Sequence, residues 1–436
     1  MMNKILNKIT FGALLFVLMF EPMAAESTPP LVLIYSSNLD GDLEPCGCSE
    51  FGNQGGLKRR AQVIADLREE NKNLFLVSGG GLLASYTAND KLISEYILKG
   101  FELLNYDAVA VQSNDLAYGV DFSLQRKEFP WVLSNGGETY FAQERILERG
   151  GNKLAVFSWF NAESLPPTTQ LQEVLSLNSS FVIFNARLQK TKQQGYITFV
   201  ATTMSWSAVQ NKLPLDHVDI ILVKSAYEEY GEPFIKNGTL VLQAGSRGMR
   251  LGRLDLTINN SGIVSYKHQV LPMPPAVPDA ESMQAWYDAY NADVKSAYLE
   301  SVDLRKARRS GDVIYAGAKV CKQCHIEEYK TWRGSRHAKA YSSLSHVNKA
   351  FDPSCIGCHT VGFEKEGGFI DSDLTSHLKH VQCEACHGAG QAHAVSGGKT
   401  KTGHYDWSQN KICAQCHVPK HSPEFDYEKY WPKIIH

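Results

Sequence analysis

Cys321-Lys322-Gln323-Cys324-His325 reads Cys-x-x-Cys-His, and the same five-residue pattern returns three more times before the chain ends at residue 436. The later copies are Cys355-Ile-Gly-Cys-His359, Cys383-Glu-Ala-Cys-His387 and Cys413-Ala-Gln-Cys-His417. With this spacing, two thiols can bond the two vinyl groups of one porphyrin while the adjacent imidazole binds its iron. One copy could arise by chance, but four copies within residues 321–417 indicate a repeated cofactor site.

The four repeats predict four covalently attached c-type haems (heme c). Eight thiols would form the thioether bonds: Cys321, Cys324, Cys355, Cys358, Cys383, Cys386, Cys413 and Cys416. Four imidazoles would be the proximal iron ligands: His325, His359, His387 and His417. Zinc knuckles or disulfides are the competing interpretation, but structural zinc sites do not require a His directly after the second Cys of every repeat.

Residues 311–436 are too few to enclose four porphyrins and also to form an apolar core of their own. We therefore expect a mainly α and loop domain in which the haems are the core. Five aromatic residues would pack on them: Trp332, Tyr341, Phe351, Phe363 and Trp407. Irons held this closely would lie within electron-hopping distance of each other.

The residue types present in the tail restrict which side chains can be the sixth ligand of each iron. Twelve of the 14 histidines lie in the tail, and no Met follows Met283, so His/Met ligation is not expected. Bis-His ligation or one open iron remains, and we predict mostly bis-His haems of low potential. Eight histidines are candidates for the sixth positions: His337, His346, His377, His380, His393, His404, His421 and His436. Any one of these could instead be solvated or bond a haem propionate.

Longer stretches around the repeats carry a family resemblance. Cys321–Ala338, Cys358–Phe363 and Val381–His393 resemble the tetrahaem cytochrome family typified by the electron acceptor of hydroxylamine oxidoreductase. The resemblance implies electron transfer, and it implies that His337 and His393 are distal ligands. For the other irons we predict His377 and His421, with His380 and His404 as close rivals.

The first part of the chain alternates strand and helix patterns, which indicates an α/β layer fold with a largely parallel sheet. Apolar runs predict strands at 31–35, 74–77, 108–111, 154–159, 196–201, 218–223 and 239–243. Helical spacing of apolar residues predicts helices over 56–70 and 92–104.

Residues 31–270 resemble the calcineurin-like metallophosphoesterases of the 5′-nucleotidase type, which implies their two-sheet sandwich. The resemblance rests on Leu31–Leu43, Gly55–Arg60, Asn105–Val109 with Ser113-Asn114, and Gln243–Arg253. The family's metal ligands, however, are lost. Where the family has Asp-x-His, this chain has Asn38 and Asp40, and at the family's Gly-Asp motif it has Gly79–Gly81. The His after Asn114 is replaced by Asp115, and the place of the later Gly-His-x-His motif, Val223–Tyr227, contains no His. A two-metal site needs a bridging carboxylate and several imidazoles, so phosphoesterase activity is not expected.

Cys46-Gly47-Cys48 lies in the loop where that metal site would open. A disulfide between the two would close a small, strained and redox-labile ring. Alternatively, they are thiolates that bind a metal, a sulfur species or a substrate, or an ordinary loop pair. Asp40, Asp42 and Glu44 would raise the thiol pKa, which opposes strong thiolate activation.

Residues 271–310 connect the two domains. Leu271–Pro278 is rich in Pro and predicts a stiff extended linker. A helix is then expected from Asp279 or Glu281 to about Arg309. Its apolar stripe of Met283, Trp286, Tyr290 and Val294 should pack between the domains.

The N-terminus predicts the cellular compartment. Residues 1–25 carry Lys4 and Lys8, the apolar run Ile9–Phe20 and a small-residue end, which is typical of a secretory signal peptide cleaved after Ala25. An uncleaved anchor is the alternative, although the run is short for a membrane span. We expect a periplasmic or secreted protein with no stable transmembrane segment after processing.

The composition narrows the function further. The net charge of −2 gives no basic surface for nucleic acid. We therefore predict a multihaem electron-transfer protein that meets a redox partner protein or membrane complex, with the N-terminal domain as a non-hydrolytic docking module. The alternatives are a reductase or oxidase of a small nitrogen or sulfur oxyanion and a structural, filament-forming cytochrome.

Overall fold

A computed structural model describes residues 29–45, 53–87, 90–165, 171–224, 230–259, 262–419 and 421–436. The expected signal peptide and the Cys46/Cys48 pair lie outside these residues. The described strands are β1 (Leu31–Ser36), β2 (Phe75–Ser78), β3 (Ala108–Ala110), β4 (Trp131–Val132), β5 (Arg145–Arg149), β6 (Asn152–Trp159), β7 (Ile197–Thr202), β8 (Ile220–Lys224), β9 (Gly231–Lys236), β10 (Thr239–Ala244), β11 (Arg250–Asn259) and β12 (Gly262–Pro272).

The helices of the N-terminal part and the linker are α1 (Leu57–Glu70), α2 (Asp90–Leu104), α3 (Val120–Leu124), α4 (Leu171–Val174), α5 (Phe181–Gln193), α6 (Trp206–Lys212) and α7 (Gln284–Ala307). The tail has short helices only: α8 (Ala318–Cys321), α9 (Ile326–Gly334), α10 (Ala340–His346), α11 (Pro353–His359), α12 (Cys383–His387), α13 (Gln391–Val395), α14 (Gln409–Cys413) and α15 (Tyr427–Tyr430). In the described part of the chain, no helix is long and apolar enough to span a bilayer.

The strands form two six-stranded sheets. The first has the order β12-β11-β1-β2-β3-β4, and its strands β1 to β4 run parallel. The second has the order β5-β6-β7-β8-β10-β9, in which β6, β7, β8 and β10 run parallel. The predicted α/β sandwich is therefore confirmed, with antiparallel strands added at the edges of each sheet.

The side chains of β1 show how the layers are stacked. Leu31, Leu33 and Tyr35 pack against the other sheet, whereas Val32 and Ile34 face the helices. Because both faces of this strand are covered, its sequence is continuously apolar and not alternating. Helices α1, α2 and α7 cover the first sheet, and α5 and α6 cover the second.

Helix α7 joins the sandwich to the tail. The predicted stripe of Met283, Trp286, Tyr290 and Val294 is buried, but it packs into the core of the sandwich. One and two turns further on, the same face buries Tyr298 and Val302 in a cluster of tail residues. The helix therefore belongs to both cores. The stripe also contacts the tail, because Phe351 packs against its cluster and Lys349 Nζ lies 5.3 Å from the ring centre of Tyr290.

The described part of the tail contains two apolar clusters, a small one around Trp332 and a larger one that the residue count did not lead us to expect. The larger cluster surrounds the end of α7 and includes Tyr341, Ile356, Val361, Phe369 and Leu378. The fourth repeat contributes nothing to it. Most of the tail beyond residue 390 consequently lacks buried apolar side chains of its own.

Candidate functional site

The four repeats lie on short helical turns. The second repeat lies wholly within α11, which Asp352 caps by accepting a hydrogen bond from the backbone N–H of Ser354 (3.0 Å). In the fourth, Ser408 caps α14 by accepting from the backbone N–H of Lys411. One helical turn places the two cysteines of a repeat on the same side, as double attachment to one porphyrin requires.

Histidine rings approach each other in three pairs. The ring centres of His325 and His393 lie 6.1 Å apart, those of His337 and His417 6.2 Å, and those of His387 and His436 5.9 Å. Since a metal–imidazole bond is about 2 Å long, two imidazoles on opposite faces of one iron have ring centres roughly 6 Å apart. Each pair joins a repeat histidine to one from another segment, which fits the axial ligation of an iron.

Hydrogen bonds hold several of these rings by one nitrogen. The Nδ1 atoms of His359, His393 and His436 bond the carbonyl oxygens of Ala340 (2.6 Å), Thr400 (2.7 Å) and Ile434 (2.8 Å). Likewise, Nδ1 of His417 lies 2.9 Å from Ser422 Oγ. A bond at Nδ1 fixes the ring and leaves Nε2 for the iron, as in metal sites generally.

Burial affects the pKa of some of the histidines near the repeats. It lowers the pKa of four of them: His337, His359, His387 and His417. A metal ligand must offer a lone pair, so a depressed pKa suits ligation. The residues present therefore fit haem c at all four repeats.

The remaining predicted histidines are arranged differently. His377 lies in a 3₁₀ turn, and its backbone carbonyl accepts a hydrogen bond from the side chain of Gln382. The Nδ1 atom of His380 accepts a hydrogen bond from the backbone N–H of Tyr341 (3.2 Å). His404 stacks on Trp407 with ring centres 3.9 Å apart. In the described part of the chain, none of these three faces a repeat histidine at the 6 Å spacing.

The second repeat differs from the other three. Among the described residues, no histidine ring lies opposite His359 at that spacing, although His421 and His337 are its electrostatic neighbours. His421 stays a predicted ligand. His436, which the sequence left among the unassigned candidates, faces His387; no local pattern pointed to it, because the pair forms through the fold.

Thiols of different repeats also come together. The thiol of Cys321 is a neighbour of that of Cys383, the thiol of Cys358 is a neighbour of that of Cys416, and Cys386 lies near Cys413. The repeats are thus neighbours in the order first, third, fourth, second. Burial raises the pKa of Cys386 to about 11, but a thioether has no such proton, so this holds only before attachment.

A second polar cluster occupies the place of the phosphoesterase metal site. Gln112 donates to Asn38 Oδ1 (3.1 Å) and to the carbonyl of Gly79 (2.7 Å), and Asn38 donates to Asp40 (3.0 Å). Asn114, the family's retained residue, donates to the carbonyl of Leu83 (2.9 Å). These groups satisfy each other, and among the described residues no three His, Cys, Asp or Glu side chains could hold a metal ion.

Asp115 fills the position of the lost histidine. It is completely buried and accepts hydrogen bonds from the backbone N–H groups of Gly81, Leu82, Leu83 and Gln112. Burial raises its pKa to about 6, while the four donors oppose the shift. The carboxyl group of Asp115 therefore acts as the hydrogen-bond acceptor for the backbone N–H groups of these loops.

The glycine run leaves no room for the missing acid. A β-carbon at Gly80 would lie 2.0 Å from the carbonyl oxygen of Ala110, and one at Gly81 2.6 Å from the side chain of Asn38. Both glycines have positive φ, 81° and 72°. An aspartate here would require a different backbone.

Comparisons agree with both halves of this description. Residues 320–388 match the family Cytochrome c554 and c-prime. Cytochrome c-554 of Nitrosomonas europaea is 30% identical over 162 residues, which cover 29% of this chain and 68% of that protein. The 5′-nucleotidase of Vibrio cholerae is 21% identical over 300 residues, or 57% of this chain and 52% of that protein.

Solved structures show the fold of the N-terminal part. A 5′-nucleotidase precursor from Thermus thermophilus superposes with a TM-score of 0.52 at 17% identity, covering 66% of this chain and 61% of that one. Sulfate thiohydrolase SoxB from the same species gives 0.52 and 17%, with 60% of each chain covered. The chain thus spans less than two thirds of these relatives, which share its calcineurin-like phosphoesterase fold. By its repeats, their histidine partners and its N. europaea relative, the chain belongs to the cytochrome c554 family, whose members bind haem c covalently.

Proposed function

We propose that the chain is a periplasmic tetrahaem electron-transfer protein. The three histidine pairs at 5.9–6.2 Å are the main support, because they bring ligands from separate segments to repeats that the sequence already assigns to haem. Haem c supplies one-electron redox chemistry, and the polypeptide sets its potential through axial ligands and burial.

The ligand pairs follow from the ring positions. We assign His393 to the first haem, His436 to the third and His337 to the fourth, each opposite the proximal histidine of its repeat. For the second haem, His421 is the candidate beside His359, whereas His377 has no repeat histidine at this spacing among the residues that the structure describes. The contacts between thiols favour electron hopping in the order first, third, fourth, second.

The N-terminal sandwich, residues 31–270, would serve as a docking module for a redox partner protein or membrane complex. Its fold is intact, while the position of the metal site is closed by Asp115 and the glycine run. We place the linker at 271–310 and the haem domain at 311–436. The predicted signal peptide and the attachment of haem outside the bacterial cytoplasm support the periplasm.

Haem counting tests the proposal. The chain, made in a host with cytochrome c maturation, should carry four haems by mass and by pyridine haemochrome absorbance, and its reduced spectrum should be that of low-spin c-type haem. A count below four would remove at least one repeat from the proposal, and a colourless protein would refute it.

A second candidate function requires a haem with a free or weakly held sixth position, and the second haem is the one to test, because both His421 and His337 are neighbours of His359. An open second iron could bind and reduce or oxidise a small nitrogen or sulfur oxyanion. A high-spin signal that changes with nitrite, hydroxylamine, sulfite or cyanide would support it. Wholly low-spin, unresponsive spectra would count against it.

A further inference from the structure

We infer that Glu44 of the N-terminal sandwich, acting through Lys349, sets the reduction potential of the haem on the second repeat. The inference rests on the proposed function, because it requires a haem at Cys355 and Cys358. It makes the sandwich a part of the redox unit as well as a docking module.

Three segments meet at this place. Nζ of Lys349 lies 2.7 Å from Glu44 Oε2 and donates to Asn291 Oδ1 at 2.8 Å. The hydroxyl of Tyr287 donates to the other oxygen of Glu44. The cluster therefore ties the first loop of the sandwich to α7 and to the tail.

The charges of this cluster are poorly screened by water. The side chains of Lys349 and Asp352 are 12% and 8% exposed, and that of Glu44 is 25% exposed. Burial by itself lowers the pKa of Lys349 and is the largest single cause, but the attraction and hydrogen bond of Glu44, together with Tyr287 and Asp352, outweigh it and the net pKa is raised. The ammonium group thus stays charged, and its field is felt more strongly than that of a surface lysine.

The cluster lies at the start of the helix that carries the second repeat. Asp352 Oδ2 is 3.9 Å from Lys349 Nζ, and Asp352 also caps α11. Its carbonyl accepts from the N–H groups of Cys355 and Ile356, both at 3.0 Å. Tyr290, which both Lys349 and Glu44 approach, is also a neighbour of Cys355.

The sign of the effect follows from the charge balance. Glu44, Asp352 and Lys349 together carry one net negative charge, and Lys58, 4.9 Å from the Tyr287 ring centre, is paired with Asp279. Ferric haem carries one more positive charge than ferrous haem, so added negative charge favours the ferric form and lowers the potential. Removing the Glu44 charge should raise the potential, and removing the Lys349 charge should lower it.

Potentiometric titration of the full-length holoprotein tests this. We expect Glu44→Gln to shift one of the four haems to higher potential, Lys349→Gln to shift the same haem to lower potential, and the double variant to return towards the native value. Lys349→Arg keeps the charge and should leave the potential unchanged. Glu163→Gln is the matched control, since Glu163 pairs with Lys212 of α6 on the outer side of the second sheet.

The identity of the shifted haem separates this inference from the proposed function. A Cys355→Ala/Cys358→Ala variant should lose one haem, and in it Glu44→Gln should no longer shift any potential. If that variant keeps the native haem count, the proposed function fails at this repeat. If it loses one haem but the Glu44 and Lys349 substitutions shift the native potential in the same direction, or not at all, the inference is wrong while the proposed function stands.

Discussion

The N-terminal sandwich and the tail of this chain are held together in different ways. In the sandwich, three clusters of buried apolar side chains fill the layers between sheets and helices. In the tail, helices of four to nine residues surround two small apolar clusters, and histidines and thiols converge from distant segments. A fold built on apolar packing can survive the loss of its catalytic residues, whereas a fold built around cofactors depends on them.

The largest expected effect is therefore the loss of haem. A chain made without cytochrome c maturation should keep the sandwich folded, while residues 311–436 are cleaved by protease roughly tenfold faster or more than in the holoprotein. The reason is that haem bonds replace missing apolar contacts in the tail. Limited proteolysis with mapping of the cut sites measures this, and equal protection of both forms of the tail would contradict it.

Removing a distal ligand should have the next largest effect. His393→Ala and His436→Ala should each convert one haem from low-spin to high-spin, because an axial imidazole is lost. His346→Ala is the matched control, since His346 is exposed and bonds its own helix at Ser342. Electron paramagnetic resonance measures the change, and a high-spin signal in the control but not in the variants would reverse the assignment.

In the sandwich, Asp115→Asn should destabilise the fold by about 1–3 kcal/mol, because the amide replaces one of the two acceptor oxygens by an NH2 donor and leaves backbone N–H groups unpaired. The native group also predicts a pH dependence. Its pKa is raised from 3.8 to about 6 on folding, so the folded chain binds this proton more tightly. The stability from Asp115 is fully present below about pH 4 and is lost as the pH rises through about 6.

Denaturant unfolding of the sandwich between pH 4 and pH 7 measures both effects. The difference between native and Asp115→Asn proteins should change with pH only in that window. A pH-independent difference would show that the carboxyl group does not titrate as the structure indicates.

The smallest expected effect concerns α7, the helix shared by the two regions. Val294→Ala and Val302→Ala should each cost about 2 kcal/mol, because each leaves a small cavity. Val294 is buried in the core of the sandwich and Val302 in that of the tail. The first should lower the unfolding midpoint of the sandwich only, and the second that of the tail only; a loss shared equally by both would mean that the two regions unfold as one unit.

The comparison also explains what could be predicted from the sequence. The parallel central strands, such as β1 and β10, are continuous apolar runs, and every one of the predicted strands is present. Among those not predicted, β5 and β12 alternate between exposed and half-buried residues, so their runs are interrupted by polar side chains. Edge strands of this kind leave a weaker signal in a single sequence.

In the tail, the local motifs could be predicted from the sequence, but the contacts between distant residues could not. The attachment motifs are local, and five residues suffice to predict them. The partner of each proximal histidine is a long-range property, as with His387 and His436, which lie 49 positions apart. No spacing rule connects such residues, and only the fold brings them together.

The most direct test of the account is the number of haems bound per chain. The account predicts that intact-mass measurement of the protein from a maturation-competent host gives the polypeptide plus four covalent haems, and plus three for Cys383→Ala/Cys386→Ala. A native protein without added porphyrin mass, or a repeat variant with no loss of haem, would contradict it.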